Sequence, residues 1–191
     1  MNITLFGGSF NPSHIGHQIV LTQAFDLIPN LDQIWLLPDY HHAFDKDKFL
    51  VSSKHRLELA KLLENHRIKL KSFIIDQQMP GYTIDHIKYL KKTYPQHAFS
   101  FLMGSDNLSK FHLWNDHKAL LKLIPFYIYP RAGFPFKPLY KNMTPLTHPL
   151  QVITNISSTK VRNRLKKGLT VKHLVPPKVS EYIETQQLYK P

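Results

Sequence analysis

A regular alternation of short apolar runs with segments of helical periodicity restricts the fold of this chain more than any other feature. The apolar runs that read as buried strands are residues 3–6, 33–37, 98–103 and 126–129. Several of them stop at Gly or Pro, as strands do where they enter a turn. Strands that alternate with helices predict an α/β fold, a parallel sheet with helices on both faces. Such sheets bind ligands beyond the carboxyl ends of their strands.

Further elements are predicted between and after these strands. Residues 67–75 have strand character, and the prolines of 131–149 predict a loop before a last strand at 150–153. Helices are predicted after Pro12, from Ser52 or Ser53, from Thr83, over about 105–124, from Ser157 or Ser158, and from Pro176. No linker or repeat is evident, so residues 1–191 are predicted to form one domain, with a C-terminal helical part at about 155–191.

Composition is that of a globular domain and excludes several kinds of site. Of the 191 residues, 42% are hydrophobic and 20% are charged. No apolar run approaches the roughly 18 residues of a membrane span, and the N-terminus lacks the features of a signal peptide. The lack of cysteine excludes disulfides, thiolate metal sites and a cysteine nucleophile. We therefore expect a cytoplasmic protein without a membrane partner.

The excess basic charge is confined to the C-terminal third. Net charge is +12, and the stretch between Asp116 and Glu181 holds twelve Lys and Arg residues but no acidic one. The rest of the chain balances thirteen basic residues against thirteen acidic ones. A field of one sign attracts polyanions, so both nucleic acid and a triphosphate are candidate ligands. A solvated basic surface without a ligand is the third interpretation.

The first segment that indicates chemistry is GGSFNPSHIGH, residues 7–17, at the end of the first predicted strand and the start of a helix. Glycines there allow backbone N–H groups to approach an anion closely. His14 and His17 are three residues apart and share a face at the start of the helix. Two imidazoles beside a helix N-terminus can donate hydrogen bonds to phosphate. An ordinary strand–turn–helix with incidental histidines is the alternative.

The second segment is ISSTKVR, residues 156–162, which opens the basic helix. Ser157, Ser158 and Thr159 offer hydroxyl donors beside exposed backbone N–H groups. Arg162 follows within the first turn, and its guanidinium can fork onto a phosphate. Taken alone, this segment is also explained by plain N-capping by serine.

Together the two segments resemble the signatures of the nucleotidyltransferase superfamily, whose fold is Rossmann-like α/β. Residues 7–17 match the family pattern G-G-x-F-x-P-x-H-x-G-H, and residues 156–162 match I-S-S-T-x-x-R, at every fixed position. The middle of the chain is similar to one branch, the bacterial nicotinate mononucleotide adenylyltransferases. Its motifs are matched by Tyr82-Thr83, Gly104 and Asp106, Trp114, Arg131 in P-R-x-G, and the closing segment that ends at Leu188-Tyr189. The likeness covers nearly the whole chain.

The resemblance implies an activity and a set of roles. The phosphate of nicotinate mononucleotide would attack the α-phosphorus of ATP in line, giving deamido-NAD and pyrophosphate without a protein nucleophile or general base. Catalysis would then be positioning and charge stabilisation. The implied catalytic residues are His14, His17 and Arg162. The implied ATP-binding residues are Gly8, Ser9, Phe10, Gly104, Asp106, Ser157, Ser158 and Thr159, and the implied substrate-binding residues are Tyr82, Thr83, Trp114, Lys46 and Arg131. Mg²⁺ would be carried by ATP.

Two departures from the branch leave substrate choice open. Gly81 replaces the Ser that normally precedes Tyr82, and the loop at 39–46 reads DYHHAFDK where the branch has P-P-H-K. That loop contacts substrate in the family. Lys46 or Lys48 is the candidate phosphate contact, and a lysine exposed to solvent is the alternative. Nicotinamide mononucleotide, phosphopantetheine and polyol phosphates therefore stay open as acceptors.

Simpler interpretations of several single residues also stay open. Trp114 and Tyr82 could serve packing alone, and Asp106 could cap the following helix. His41, His42 and His55 lack the carboxylate spacing of a zinc site, so we expect no protein-bound metal. A nucleic-acid-binding module is the rival from another class, although no helix-turn-helix, zinc-finger or RNP signature is present. A homo-oligomer is compatible with the sequence.

Overall fold

The computed structural model describes residues 1–40 and 50–190. Its strands are β1 (Asn2–Gly8), β2 (Gln33–Pro38), β3 (Ile68–Leu70), β4 (Ala98–Gly104), β5 (Phe126–Tyr129) and β6 (Met143–Pro145). Within the described residues they form one sheet in the order β3-β2-β1-β4-β5-β6. Every neighbouring pair is parallel. The predicted Rossmann-like parallel sheet is confirmed.

Helices cover both faces of this sheet. They are α1 (Ile15–Leu27), α2 (Ser53–Lys61), α3 (Phe73–Asp76), α4 (Thr83–Thr93), α5 (His117–Leu123), α6 (Ser158–Lys166) and α7 (Pro177–Thr185), with a 3₁₀ helix at Ser105–Leu113. Successive side chains of β2 enter opposite cores: Leu37 joins Ile87 of α4, whereas Leu36 joins Leu21 of α1. Because strand side chains alternate between faces, a run that is apolar throughout is buried on both sides.

The strand order reverses beside β1, and this reversal positions the site. β1 pairs with β2 on one side and with β4 on the other. The chain leaves β1 at Gly8 and β4 at Gly104, so both exits lie at the carboxyl edge of the sheet. In open α/β sheets the crevice at such a switch point receives the ligand. Both glycines belong to motifs singled out in the sequence.

The C-terminal helices pack on α2 and form a third apolar cluster. Leu59 of α2 meets Val161 of α6 and Ile183 of α7, and all three are buried. This packing returns the end of the chain to the carboxyl edge of the sheet. The division of the chain into one domain with a C-terminal helical part at 155–191 stays a prediction.

Several element predictions were wrong in detail. The last strand lies at Met143–Pro145, inside the stretch expected to be loop, and not at 150–153. Val152 explains why: its N–H donates to Oε1 of Gln23, and its carbonyl oxygen accepts from the Tyr129 hydroxyl, so side chains satisfy its backbone. Residues 73–75 belong to α3 rather than to a strand. Tyr82, not Thr83, stands at the N-cap of α4, and it makes no side-chain capping bond.

The other predicted boundaries agree with the structure. Ser52 caps α2 by accepting from the His55 N–H, and Ser157 caps α6 by accepting from the Lys160 N–H. The last helix begins at Pro177. In the part of the chain that the structure describes, no helix has the length and apolar character needed to cross a membrane.

Candidate active site

The turn that follows β1 has a strained but well-packed backbone. Phe10 has a φ of 48°, in the left-handed region that costs a residue with a side chain about 1–2 kcal/mol. Its ring is 1% exposed and packs against the rings of Phe6 and His17, with centroids 6.2 and 5.3 Å away. Strain of this kind persists only where the surroundings hold it, and it clusters at functional sites.

The two motif histidines stack at the start of α1. Their ring centroids are 3.7 Å apart and the planes are 18° from parallel. The backbone N–H of His14 donates to Nδ1 of His17 at 3.1 Å. Because Nδ1 of His17 accepts this bond, a neutral His17 carries its proton on Nε2 and can donate from that atom.

Both histidines are held neutral. Burial lowers the pKa of His14 well below its ordinary range, and repulsion of its protonated form by the nearby His17 and Arg131 lowers it further. Burial likewise lowers the pKa of His17 to about 3, again with help from Arg131. Nδ1 of His14 is buried without a hydrogen-bond partner among the described residues. A neutral imidazole pair in a cationic environment is suited to donate to an anion rather than to accept a proton.

Gly16 is required because the two signature segments touch at this residue. A Cβ at this position would lie 2.9 Å from Nδ1 of His14 and 3.3 Å from the carbonyl oxygen of Ile156. Ile156 is the first residue of the second signature. The glycine therefore allows the N-terminal helix to approach the backbone that leads into α6.

The second signature is bonded to the first by side chains. Ser158 Oγ donates to the carbonyl oxygen of Pro12 at 2.9 Å, and Arg162 Nη1 donates to that of Asn11 at 2.7 Å. Arg162 Nη2 also donates to Oγ1 of Thr159 at 3.2 Å. Burial lowers the pKa of Arg162 from its ordinary value. Through Ser158 and Arg162, the structure thus brings the second signature against the turn that carries the first.

Arg131 connects the second signature to the end of β4. Its Nη2 donates to the carbonyl oxygen of Ile156 at 2.9 Å, and its Nη1 pairs with Oδ2 of Asp106 at 3.4 Å. The other carboxylate oxygen, Oδ1 of Asp106, is buried without a hydrogen-bond partner among the described residues. A Cβ on Gly104 would lie 2.3 Å from that oxygen. Gly104 therefore makes room for the carboxylate at the carboxyl edge of the sheet.

Asn11 and Arg56 were not identified from the sequence, although both shape the turn. Asn11 is fully buried, and its Oδ1 accepts from the Val51 N–H and the Tyr189 hydroxyl. Arg56 of α2 is 2% exposed and bonds the carbonyl oxygens of Ser9, Asp39 and Tyr40. Asn11 occupies a variable position of the first signature, and Arg56 lies outside all motifs. The signal that identifies both residues is their burial in the folded protein.

The residues predicted to bind the pyridine make fewer contacts with one another than the residues of the two signature segments do, with no ring contact between Tyr82 and Trp114 in the described chain. Trp114 is half-buried and packs on Phe111 and Phe101, with ring centroids 5.2 and 6.0 Å away. Tyr82 is 48% exposed at the start of α4, beside Thr83. The predicted phosphate contact Lys46 lies outside the described residues.

The donor set of the site does not resemble a protein metal cage. Across residues 1–40 and 50–190, no three His, Asp or Glu side chains converge as metal ligands. The two histidines stack on each other, and Asp106 is paired with Arg131. A divalent cation that enters on phosphate oxygens and takes few protein ligands fits this arrangement.

Known proteins share both the sequence and the architecture of this chain. A profile of the cytidylyltransferase-like family matches residues 5–164. The probable nicotinate-nucleotide adenylyltransferase of Flavobacterium johnsoniae is 35% identical over 193 residues, covering 100% of both chains. That of Exiguobacterium sibiricum is also 35% identical, covering 99% of both.

A solved structure extends the likeness to three dimensions. Plasmodium falciparum nicotinic acid mononucleotide adenylyltransferase complexed with NaAD superimposes with a TM-score of 0.83 at 25% identity, covering 98% of this chain and 97% of the other. The profile match, the end-to-end relatives and the shared fold agree with one another. The chain belongs to the cytidylyltransferase-like family, in which it aligns over its whole length with nicotinate-nucleotide adenylyltransferases.

Proposed function

We propose that this chain is a nicotinate-nucleotide adenylyltransferase, which transfers AMP from ATP to nicotinate mononucleotide and releases pyrophosphate. The observation that carries the proposal is the junction of the two signature segments at the carboxyl ends of β1 and β4. There Gly16 lies against Ile156, and Arg162 and Ser158 bond the turn after β1. The names of the full-length relatives and the NaAD bound to the Plasmodium falciparum enzyme support the same substrate class.

The reaction needs stabilisation of negative charge more than it needs proton transfer. The attacking phosphate oxygen is already anionic, and pyrophosphate leaves as the new phosphate bond forms. Neutral His17, with its proton on Nε2, donates to the phosphate that undergoes substitution, and His14 stands beside it. Donors fixed in advance stabilise charge that develops in the transition state without reorganising.

The second signature receives the leaving phosphates. Arg162 stands at the turn after β1, with Nη1 on the carbonyl oxygen of Asn11. Ser158 donates to the carbonyl oxygen of Pro12 and so keeps the N-terminus of α6 next to the turn, whereas Ser157 caps the helix and Thr159 accepts from Arg162. In our proposal the β- and γ-phosphates of ATP bind between Arg162 and this helix end, where exposed N–H groups and the helix dipole favour an anion.

The nucleoside portions take the remaining predicted residues. Gly8, Ser9 and Phe10 line the nucleotide cleft with backbone, and Asp106 after Gly104 orients the ribose. Oδ1 of Asp106, which lacks a partner among the described residues, is available for a ribose hydroxyl. Tyr82, Thr83 and Trp114 bind the pyridine, and Arg131 lies between the two substrates. Mg²⁺ accompanies ATP and neutralises phosphate charge when bound.

Pyrophosphate release from ATP and Mg²⁺ tests the proposal, with nicotinate and nicotinamide mononucleotides compared at equal concentration. We expect release with the acid and a clear preference for it over the amide. Equal use, or preference for the amide, would show that Gly81 and the loop at 39–46 change the specificity. Release with neither mononucleotide would refute the proposed acceptor and favour phosphopantetheine or a polyol phosphate. A matched variant, His17→Ala, establishes that the release depends on this site.

Cytoplasmic location and oligomeric state are not needed for this proposal and stay predictions. In the basic C-terminal third, Lys160, Lys167 and Lys178 are exposed to solvent. Our proposal assigns the basic charge of Arg162 to the triphosphate and leaves these lysines without a role in catalysis.

A further inference from the structure

The end of the chain returns to the turn after β1 through one side-chain contact. The hydroxyl of Tyr189 donates to Oδ1 of Asn11 at 2.8 Å. Asn11 is fully buried, and Tyr189 is half-buried, with a φ of 62°. Burial raises the pKa of Tyr189 above its ordinary value, so the phenol keeps its proton and remains a donor. This contact joins residues 178 positions apart in the sequence.

The turn is held by donors that lie outside it. Arg56 bonds the carbonyl oxygen of Ser9, Arg162 bonds that of Asn11, and Ser158 bonds that of Pro12. In a trans peptide the N–H points away from the carbonyl oxygen of the same unit. The donor on the Ser9 carbonyl therefore turns the Phe10 N–H toward the opposite side of the turn. Orientation of this N–H is what a phosphate-binding turn requires.

The side chain of Asn11 is anchored separately from its backbone. Its Oδ1 accepts from Tyr189 and from the N–H of Val51, the residue before the N-cap of α2. Asn11 follows Phe10, whose left-handed φ requires support from its surroundings. Loss of one donor to a buried oxygen removes part of this support, because buried acceptors are costly to leave underbonded.

We propose that Tyr189 is a positioning residue for ATP binding: through Asn11 it holds the turn of residues 9–12 in the conformation that receives the phosphates. The proposal rests on the proposed function, since it takes that turn to be the ATP site. Tyr189 does not touch substrate. Its effect reaches ATP through the hydrogen bond to Asn11, and so it acts on the affinity for ATP more than on the pyridine substrate.

The test is Tyr189→Phe, which removes the hydroxyl and keeps the ring. The matched control is Tyr182→Phe, because Tyr182 lies in the same C-terminal cluster but bonds Nδ1 of His55 at 3.0 Å. The dissociation constant for ATP, the KM for each substrate, kcat and the melting temperature are measured for both variants. We expect the ATP dissociation constant and KM to rise about fivefold in Tyr189→Phe, the effect of losing one hydrogen bond. Tyr182→Phe should leave them unchanged at a similar melting temperature.

A double-mutant cycle with Asn11→Ala then tests whether Tyr189 affects ATP binding through Asn11. If Tyr189 acts through Asn11, adding Tyr189→Phe to Asn11→Ala weakens ATP binding no further. Unchanged ATP affinity in Tyr189→Phe, an equal rise in Tyr182→Phe, or additive effects in the cycle would each overturn the proposal. Failure of the proposed function is a different result, because the unaltered protein would then release no pyrophosphate with nicotinate mononucleotide.

Discussion

The two ends of the candidate active site are built in different ways. At the phosphate end, hydrogen bonds from Arg162, Ser158 and Arg131 tie the second signature to the turn after β1 and to β4. At the pyridine end, Trp114 rests on other aromatic rings and Tyr82 is 48% exposed. The phosphate end is thus fixed by directional bonds before any ligand arrives, whereas the pyridine end presents aromatic surface.

This difference follows from the ligands that each end is proposed to bind. Phosphate needs donors at set positions, and fixing them in advance avoids the free-energy cost of reorganisation during the reaction. A pyridine ring needs mainly a flat apolar surface, and stacking tolerates small displacements. We therefore expect substitutions at the phosphate end to lower turnover steeply and substitutions at the pyridine end to change affinity modestly.

The largest effect is expected for His17→Ala. Removing a donor from the reacting phosphate should lower kcat about 100- to 1,000-fold while the melting temperature stays close to that of the unaltered protein. His66→Ala is the matched control, because His66 is exposed and precedes β3 at the opposite edge of the sheet. Near-normal turnover in His17→Ala would remove the distinction between the two ends.

Gly16→Ala should have the next largest effect. The new methyl group would lie 2.9 Å from Nδ1 of His14 and 3.3 Å from the Ile156 carbonyl oxygen, so the His14 ring and the Ile156 backbone must shift to make room. Displacement of catalytic groups on this scale lowers kcat/KM by about 10- to 100-fold. Steady-state kinetics and thermal melting measure both consequences.

Gly8→Ala is the comparison that separates strain from ligand contact. Among the residues that the structure describes, a Cβ on Gly8 meets only the Phe10 ring, at 3.8 Å, so the melting temperature should be unchanged. If ATP approaches this backbone closely, its KM should nevertheless rise, by about tenfold. An unchanged KM for ATP would place the nucleotide away from Gly8.

Trp114→Ala tests the pyridine end. Loss of one stacking surface should raise the KM for nicotinate mononucleotide about three- to tenfold and leave the KM for ATP unchanged. Trp114→Phe keeps an aromatic face and should restore most of the affinity. A drop in kcat as large as that of His17→Ala would contradict the proposed difference between the two ends.

The last prediction concerns the stability of the protein, not its turnover, and depends on the pKa of His17. The pKa of His17 falls from 6.5 in the unfolded chain to about 3 in the folded protein, so between these values the unfolded state binds more protons. The stability that His17 contributes is complete above pH 6.5 and decreases as the pH falls toward 3. The free energy of unfolding, measured with denaturant, should therefore differ between the unaltered protein and His17→Asn by an amount that decreases as the pH is lowered. Burial raises the pKa of Asp39 to about 7, which acts in the opposite direction but is common to both proteins. A pH-independent difference would contradict a His17 that stays neutral in the folded protein.

Local patterns predicted most elements and failed where tertiary contacts decide. Apolar runs such as 33–37 and 126–129 became strands because they are buried on both faces. The segment 150–153 is also mainly apolar, yet its Leu150 and Ile153 are 84% and 48% exposed. The strand that pairs with β5 is instead the one that begins at Met143. Strand propensity alone does not say which of two nearby segments pairs with a sheet.

The residues of the candidate site likewise fall into those that local sequence patterns predict and those that only tertiary contacts identify. His14, His17 and the residues 156–162 were predicted because glycines, histidines and hydroxyls at fixed spacing indicate a phosphate-binding backbone. Asn11 and Arg56 were missed, since an isolated Asn or Arg carries no signal until its burial and partners are known. The roles of Trp114 and Tyr82 depend on resemblance, because aromatic residues serve packing as readily as binding.

The parallel α/β fold, the family and the two signature segments proposed to bind phosphate could all be inferred from the sequence, because periodicity and motif spacing are local properties of the chain. Tertiary structure alone decided that Ile156 lies against Gly16, that Arg131 bridges Asp106 to Ile156, and that Tyr189 reaches Asn11. These contacts join residues far apart in sequence, and they form only after the sheet has brought the carboxyl ends of β1 and β4 together.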